Sequence, residues 1–133
     1  MNIQEIKATK AKMVNDNLDK HRVFFAFSDS QLAEGKEKIN FQEGEKLVHI
    51  GHGGYMPKSL VDGFIKGMEE ANKWFKDQVK DNKQRTAHIK DVLSNHECYY
   101  TGDIEDALQY LGEDYTHEEV YKVYIEERQK VDY

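Results

Sequence analysis

The chain has 133 residues, of which 33% are charged and 38% hydrophobic, and a formal net charge of −6. That length suffices for one domain with its own core, without disulfides or metal, and no apolar run approaches the roughly 20 residues of a membrane span. A single cysteine, Cys98, excludes an internal disulfide, and the first residues lack the apolar core of a secretory signal, so a reducing, cytoplasmic location is expected.

In chain order, residues 2–19 read as a peripheral helix of modest amphipathicity, with Ile3, Ile6, Met13, Val14 and Leu18 on its apolar side. The run Val23, Phe24, Phe25, Ala26, Phe27 is the clearest strand, and its unbroken hydrophobicity predicts cover on both faces. Ser28 with Gln31 is a capping-box pattern for a short helix over residues 30–38, which Gly35 weakens. Residues 36–46 read as a polar loop anchored by Phe41. Leu47, Val48, His49 and Ile50 follow as a buried strand. Residues 51–54 turn the chain, and Tyr55 and Met56 return as a second short strand.

Beyond Pro57, Ser59 is the expected N-cap of a long helix, with Asp62 as a weak capping-box partner. Val61, Phe64, Met68, Ala71, Phe75 and Val79 fall on one stripe of a 3.6-residue period, widened by Leu60 and Trp74. Residues 81–85 are a charged break or a continuation. Ile89, Val92, Leu93 and His96 then make another helical stripe. Asp103 is placed to cap a helix carrying Ile104, Ala107, Leu108 and Leu111, stopped by Gly112. Thr116 with Glu119 opens a last helix bearing Val120, Tyr121, Tyr124 and Ile125, within an acidic segment over residues 113–133. No internal repeat or linker is present. The expected fold is a single α+β domain over residues 1–133, with a sheet of two or three strands packed against four to six helices.

Charge is unevenly placed. Residues 97–133 carry 11 acids against 3 bases, whereas residues 1–96 carry 14 acids against 16 bases. Seven of the eight tyrosines also lie in residues 97–133. Such a surface disfavours direct nucleic-acid binding and suits a protein partner with a basic surface. Tyrosine supplies rigid contact area with a polar tip. Tyr110, Asp114, Glu118, Tyr121 and Glu126 are the partner-binding candidates, set against the simpler reading in which Tyr110, Tyr121 and Tyr124 finish the core and the carboxylates are solvated.

His49, His52, His96 and Cys98, with Glu97, offer ligands for zinc, and Cys98 beside His96 offers a thiolate pair. Against these stand the missing HExxH and CxxC patterns and the poor facing of positions two apart on a helix. A buried cysteine and a half-buried histidine in a core explain the same residues more simply. The glycines at 51, 53 and 54 lack the spacing and terminal lysine of a phosphate loop, and read as a tight turn. No cofactor is implied.

The string His96, Glu97, Cys98, Tyr99, Tyr100, Thr101, Gly102, Asp103, Ile104, Glu105, Asp106 resembles a motif of an uncharacterised family of small bacterial and phage proteins. Phe24 to Ser28 with Gln31 and Gly35, and the glycine-rich segment leading to Ser59, resemble it too. The resemblance covers about residues 20–112. It implies a phage or prophage origin and lends no activity to any residue. His52, inside the glycine loop, departs from the family's usual pattern.

Two functional expectations result. One is a non-enzymatic cytoplasmic binding or regulatory protein, in one version an inhibitor of a host nucleic-acid-handling or defence protein. It needs no membrane, and a homo-oligomer is a further possibility. Charge reversal at Glu118 and Glu119 should weaken its partner binding. The alternative is a small metal- or thiol-dependent enzyme using His49, His52, His96 and Cys98, with His96 and Cys98 as its catalytic residues.

Overall fold

The structure is a computed structural model that describes residues 1–130. The elements are α1 (Ile3–Lys20), β1 (Phe24–Phe25), α2 (Asp29–Lys38), β2 (Leu47–Gly51), β3 (Gly54–Pro57), a 3₁₀ turn (Lys58–Leu60), α3 (Val61–Gln78), α4 (Asn82–Asn95), α5 (Cys98–Thr101), α6 (Glu105–Leu111) and α7 (His117–Lys130). The fold is α+β, with seven helices among the described residues. The count exceeds the expected range because the Cys98 string itself closes into the single turn α5. The described residues cluster into two compact units, residues 7–75 and residues 1–6 with 76–130.

In residues 7–75 the three strands run antiparallel in the order β1-β3-β2. His52 and Gly53, at φ 51° and 77°, form the two-residue corner of the β2–β3 hairpin, where paired positive φ values match the twist of the strands. The glycine loop is therefore a hairpin turn. Pro57 is tolerated in the central strand because β1 reaches only Tyr55 and Gly54, so nothing on that side needs its missing N–H.

The aromatic run 23–27 is not covered on both faces. Only Phe24 and Phe25 form the strand, and burial alternates: Phe24 and Ala26 are buried, Phe25 and Phe27 exposed. β1 is an edge strand whose one covered face receives α2. Phe24 stacks on Tyr55 at 5.8 Å, and Gly35 makes the approach of α2 possible, since a Cβ there would lie 2.1 Å from Phe24 Cδ2. The glycine that lowers helix propensity is what lets this helix pack. β2 is the other edge and is half-buried rather than buried, with His49 exposed.

The Ser28 cap forms, its Oγ accepting from Gln31 N–H at 3.2 Å. Gln31 Oε1 answers by accepting from Phe27 N–H at 2.8 Å, one residue before the usual position. Ser59 does not cap α3. Lys58–Leu60 winds as a 3₁₀ turn and hands its backbone bonding to Val61, with no side-chain cap. The α3 stripe is as read: Ala71 and Val79 are buried, while Phe64, Met68, Trp74 and Phe75 are half-buried. Gly63 and Gly67, four apart on α3, leave space for His21 and Asn17, both buried. Asn17 Nδ2 donates to the Phe64 carbonyl at 3.0 Å.

In the other unit, Asp81 caps α4 by accepting from Lys83 N–H at 3.4 Å, so the charged segment is a break. Ile89, Val92, Leu93, Cys98, Ile104, Ala107, Val120, Val123 and Tyr124 form one buried cluster. Asp103 Oδ1 accepts from Glu105 N–H at 2.9 Å, although Ile104 occupies the cap position of α6. Gly112, at φ 77°, ends α6. Thr116 Oγ1 accepts from Glu119 N–H at 3.1 Å. Gln4 donates to Asp91 at 3.0 Å, tying the first residues to α4. No helix among the described residues is long and apolar enough to cross a membrane.

Candidate functional site

The junction of α4 and α5 sets the geometry of the tyrosine-rich region. His96 caps α4 at its C-terminus, and Glu97 then takes the left-handed conformation at φ 56°. That reversal drives Cys98 into the core and sends its neighbours opposite ways. Tyr99 stacks flat on Tyr124 at 5.7 Å and 10°, while Tyr100 is 91% exposed. Gly102, at φ 76°, closes the turn.

Burial, above all, pushes the Cys98 thiol up from its ordinary value, which disfavours the thiolate a nucleophile or zinc ligand needs. Its Sγ faces the His96 carbonyl oxygen at 3.9 Å rather than the imidazole. The His96 ring lies instead against Tyr110 at 5.3 Å. His49 packs on Tyr55 at 4.9 Å, and His52 stands at the hairpin corner; both belong to residues 7–75. Among the described residues, no group of three or more His, Cys, Asp or Glu side chains is arranged to hold a metal ion.

The tyrosines of the acidic region divide. Tyr99, Tyr115 and Tyr124 turn inward. Tyr100, Tyr110 (68% exposed) and Tyr121 (47%) turn outward. Tyr133 lies outside the described residues. Burial, helped by the Glu127 carboxylate, pushes the Tyr99 phenol up to about 12. Tyr121 stacks with His117 at 5.8 Å and leans on Tyr124 at 6.0 Å.

Glu118, Tyr121 and Glu126 are exposed on α7, whose other side carries the buried Val120, Val123 and Tyr124. Asp114, in the loop before α7, is exposed and pairs with Lys76 at 3.4 Å. Residues 91–121 hold nine acids and neither a lysine nor an arginine.

Glu119 does not belong with this outward set. It grips Arg85 through both carboxylate oxygens, with Nη2–Oε2 at 2.9 Å. Arg85 also donates to the Asp114 carbonyl and lies 4.0 Å over the Tyr115 ring. Hydrogen bonding to Arg85 is the main cause that holds the Glu119 carboxyl below its ordinary range. His88, buried, completes the group with Nδ1 2.9 Å from the Tyr115 hydroxyl. This network pins the α6–α7 loop to α4. Sequence patterns miss it because its members stand 27 to 34 positions apart.

A family model described as a family of unknown function, DUF7659, matches residues 3–130. The chain belongs to that family. The match extends past the resembling segment to take in both terminal helices, α1 and α7. Comparison with curated proteins and with solved structures gives no match. Membership therefore brings no activity to any residue, and the chemistry of the surface carries the functional question. Three exposed phenol rings in an acidic stretch, with Glu118 and Glu126 exposed on α7, can form charge-assisted hydrogen bonds and flat apolar contacts with a cationic surface.

Proposed function

We propose that this protein is a small acidic binding and regulatory module, not an enzyme. On this reading it docks on the basic surface of a protein partner through its tyrosine-bearing C-terminal region. The supporting observation is the outward placement of Tyr100, Tyr110 and Tyr121 in a stretch without a lysine or arginine, next to a core that is already closed. Tyrosines of this kind anchor interfaces, and the carboxylates steer a basic partner into encounter. In its most concrete version the protein is phage- or prophage-encoded. It would inhibit a host nucleic-acid-handling or defence protein by occupying a groove whose lysines and arginines otherwise hold phosphates. The single buried cysteine suits work in the cytoplasm.

The test begins by isolating the binding partner from the natural host, and then measures its affinity for the Glu118→Lys, Glu126→Lys double variant. Glu119 is left intact because its reversal breaks the pair with Arg85 and confounds binding with stability. The expected result is a loss of about tenfold or more, with a shallower salt dependence. Unchanged affinity overturns the proposal.

A further inference from the structure

An open cleft of about 370 Å³ lies where α4 gives way to α5, lined by Ser94, Glu97, Tyr99 and Tyr100. Its chemistry is one carboxylate, one hydroxyl and two phenol rings. None of the ion pairs or side-chain hydrogen bonds formed among the described residues uses the Glu97 carboxylate, and that residue is exposed. The nearest cations along the chain are Lys90 and Lys122. Lys90 is engaged by Glu127 at 3.0 Å. The cleft therefore presents an exposed carboxylate with no ion-pair partner among the described residues, together with the almost wholly exposed Tyr100 ring, within the stretch of nine acids.

We propose that this cleft receives an arginine side chain of the basic partner. The inference rests on the binding reading above and names where on that surface one partner charge is seated. A guanidinium pairs with the Glu97 carboxylate through two parallel N–H bonds. Its plane lies against the Tyr100 ring, and a remaining N–H reaches the Ser94 hydroxyl. Arginine suits the cleft better than lysine, whose ammonium neither stacks flat nor forks onto a carboxylate. A divalent cation does not suit it, since one carboxylate falls short of the oxygen ligands that calcium or magnesium gathers.

The experiment records amide NMR shifts of the full chain during titration with acetyl-arginine amide, and then with a short arginine-rich peptide. Shifts should centre on Ser94, Glu97, Tyr99 and Tyr100. Glu97→Gln and Tyr100→Ala should each weaken peptide binding about three- to tenfold, and replacing arginine by citrulline in the peptide should remove it. Glu97→Gly is the control for folding: glycine adopts φ 56° without strain, so the variant keeps the turn while losing the whole side chain, carboxylate included. It should bind as weakly as Glu97→Gln. Shifts that map to α7, untouched by Glu97→Gln but lost in the Glu118→Lys, Glu126→Lys variant, overturn the cleft and leave the binding reading standing. The absence of any saturable shift with the peptide also overturns the cleft. The affinity of the isolated partner for that double variant then decides the binding reading separately.

Discussion

In residues 7–75 the exposed phenyl rings are Phe25 and Phe27, 53% and 77% accessible, and each lies over a glycine. A Cβ on Gly53 would stand 2.3 Å from Phe27 Cε1, and one on Gly54 would stand 3.2 Å from Phe25 Cε1. These rings cover the backbone of the hairpin corner, and local packing accounts for where they are. In residues 76–130 the exposed tyrosines are Tyr100, Tyr110 and Tyr121; Tyr110 lies against His96, and Tyr121 against His117 and Tyr124. An exposed phenylalanine seated on glycine has a structural occupation already. An exposed tyrosine without such a seat has contact area left to offer, which is why the proposed binding is placed in the acidic region.

The contrast holds only if residues 76–130 close a core without those tyrosines. Leu93 is fully buried in that core, so Leu93→Ala should cost about 2–5 kcal/mol. Urea denaturation measures it. A loss below about 1 kcal/mol would mean the cluster is loosely packed, and the outward rings would then be part of a poorly formed interior. The next effect belongs to the hairpin. Gly53→Ala brings a side chain to φ 77° and onto Phe27, for a combined cost of about 1–3 kcal/mol. Phe27→Ala, which only uncovers backbone, should cost less than about 1 kcal/mol. If the two variants are equally mild, Phe27 is not seated on the glycine and the proposed difference between the two sets of rings disappears.

Arg85 sharpens the comparison from the acidic side, because it separates structural carboxylates from surface ones. Arg85→Met should cost about 1–2 kcal/mol at neutral pH, by loss of a charge-assisted pair that is only partly shielded from water. The Glu119 carboxyl is held low in the folded state. Its contribution is therefore fully present above the ordinary value of 4.5 and is lost as pH falls through the lower folded value. Wild type should lose stability in that acid window, and Arg85→Met should lose less of it. The opposite limb tests Tyr99. A phenol raised to about 12 contributes stability below its ordinary value of 10 that is lost as pH rises through about 12. Tyr99→Phe should flatten the alkaline decline, and an unchanged decline would show that Tyr99 ionises as freely folded as unfolded.

Much of the architecture was legible because it rests on short-range periodicity. The α3 stripe, the caps at Ser28 and Thr116, the stop at Gly112 and the hairpin glycines all depend on residues a few positions apart. What was not legible depends on which neighbour arrives. An unbroken aromatic run conceals a period of two, so the edge position of Phe24 and Phe25 emerged only with the strand order. Nothing in the α3 stripe marks Gly63 and Gly67, yet the buried His21 and Asn17 require them. Val123 has its place in the core without being part of the expected stripe. At the candidate site, the acidic and aromatic composition was visible beforehand. Which tyrosines face outward was not, because the left-handed turn at Glu97 decides it for Tyr99 and Tyr100, and glutamate carries little local preference for that conformation.

The smallest expected change in stability carries the most weight for function. Tyr110→Ala and Tyr121→Ala remove rings that meet one imidazole each and, for Tyr121, the tilted ring of Tyr124. Their cost should stay within about 0.5 kcal/mol, the usual range for surface substitutions. Partner affinity should nevertheless fall, by roughly 1 kcal/mol or more for whichever ring is an anchor. The two measurements move oppositely under the two explanations for the rings. A ring that mainly completes the fold loses stability on truncation and leaves affinity per folded molecule unchanged. A ring held out for a partner leaves the denaturation midpoint in place and raises the dissociation rate. Phe25→Ala supplies the matched case from the hairpin: it deletes a comparably exposed ring from the other compact unit and should leave partner affinity as it was.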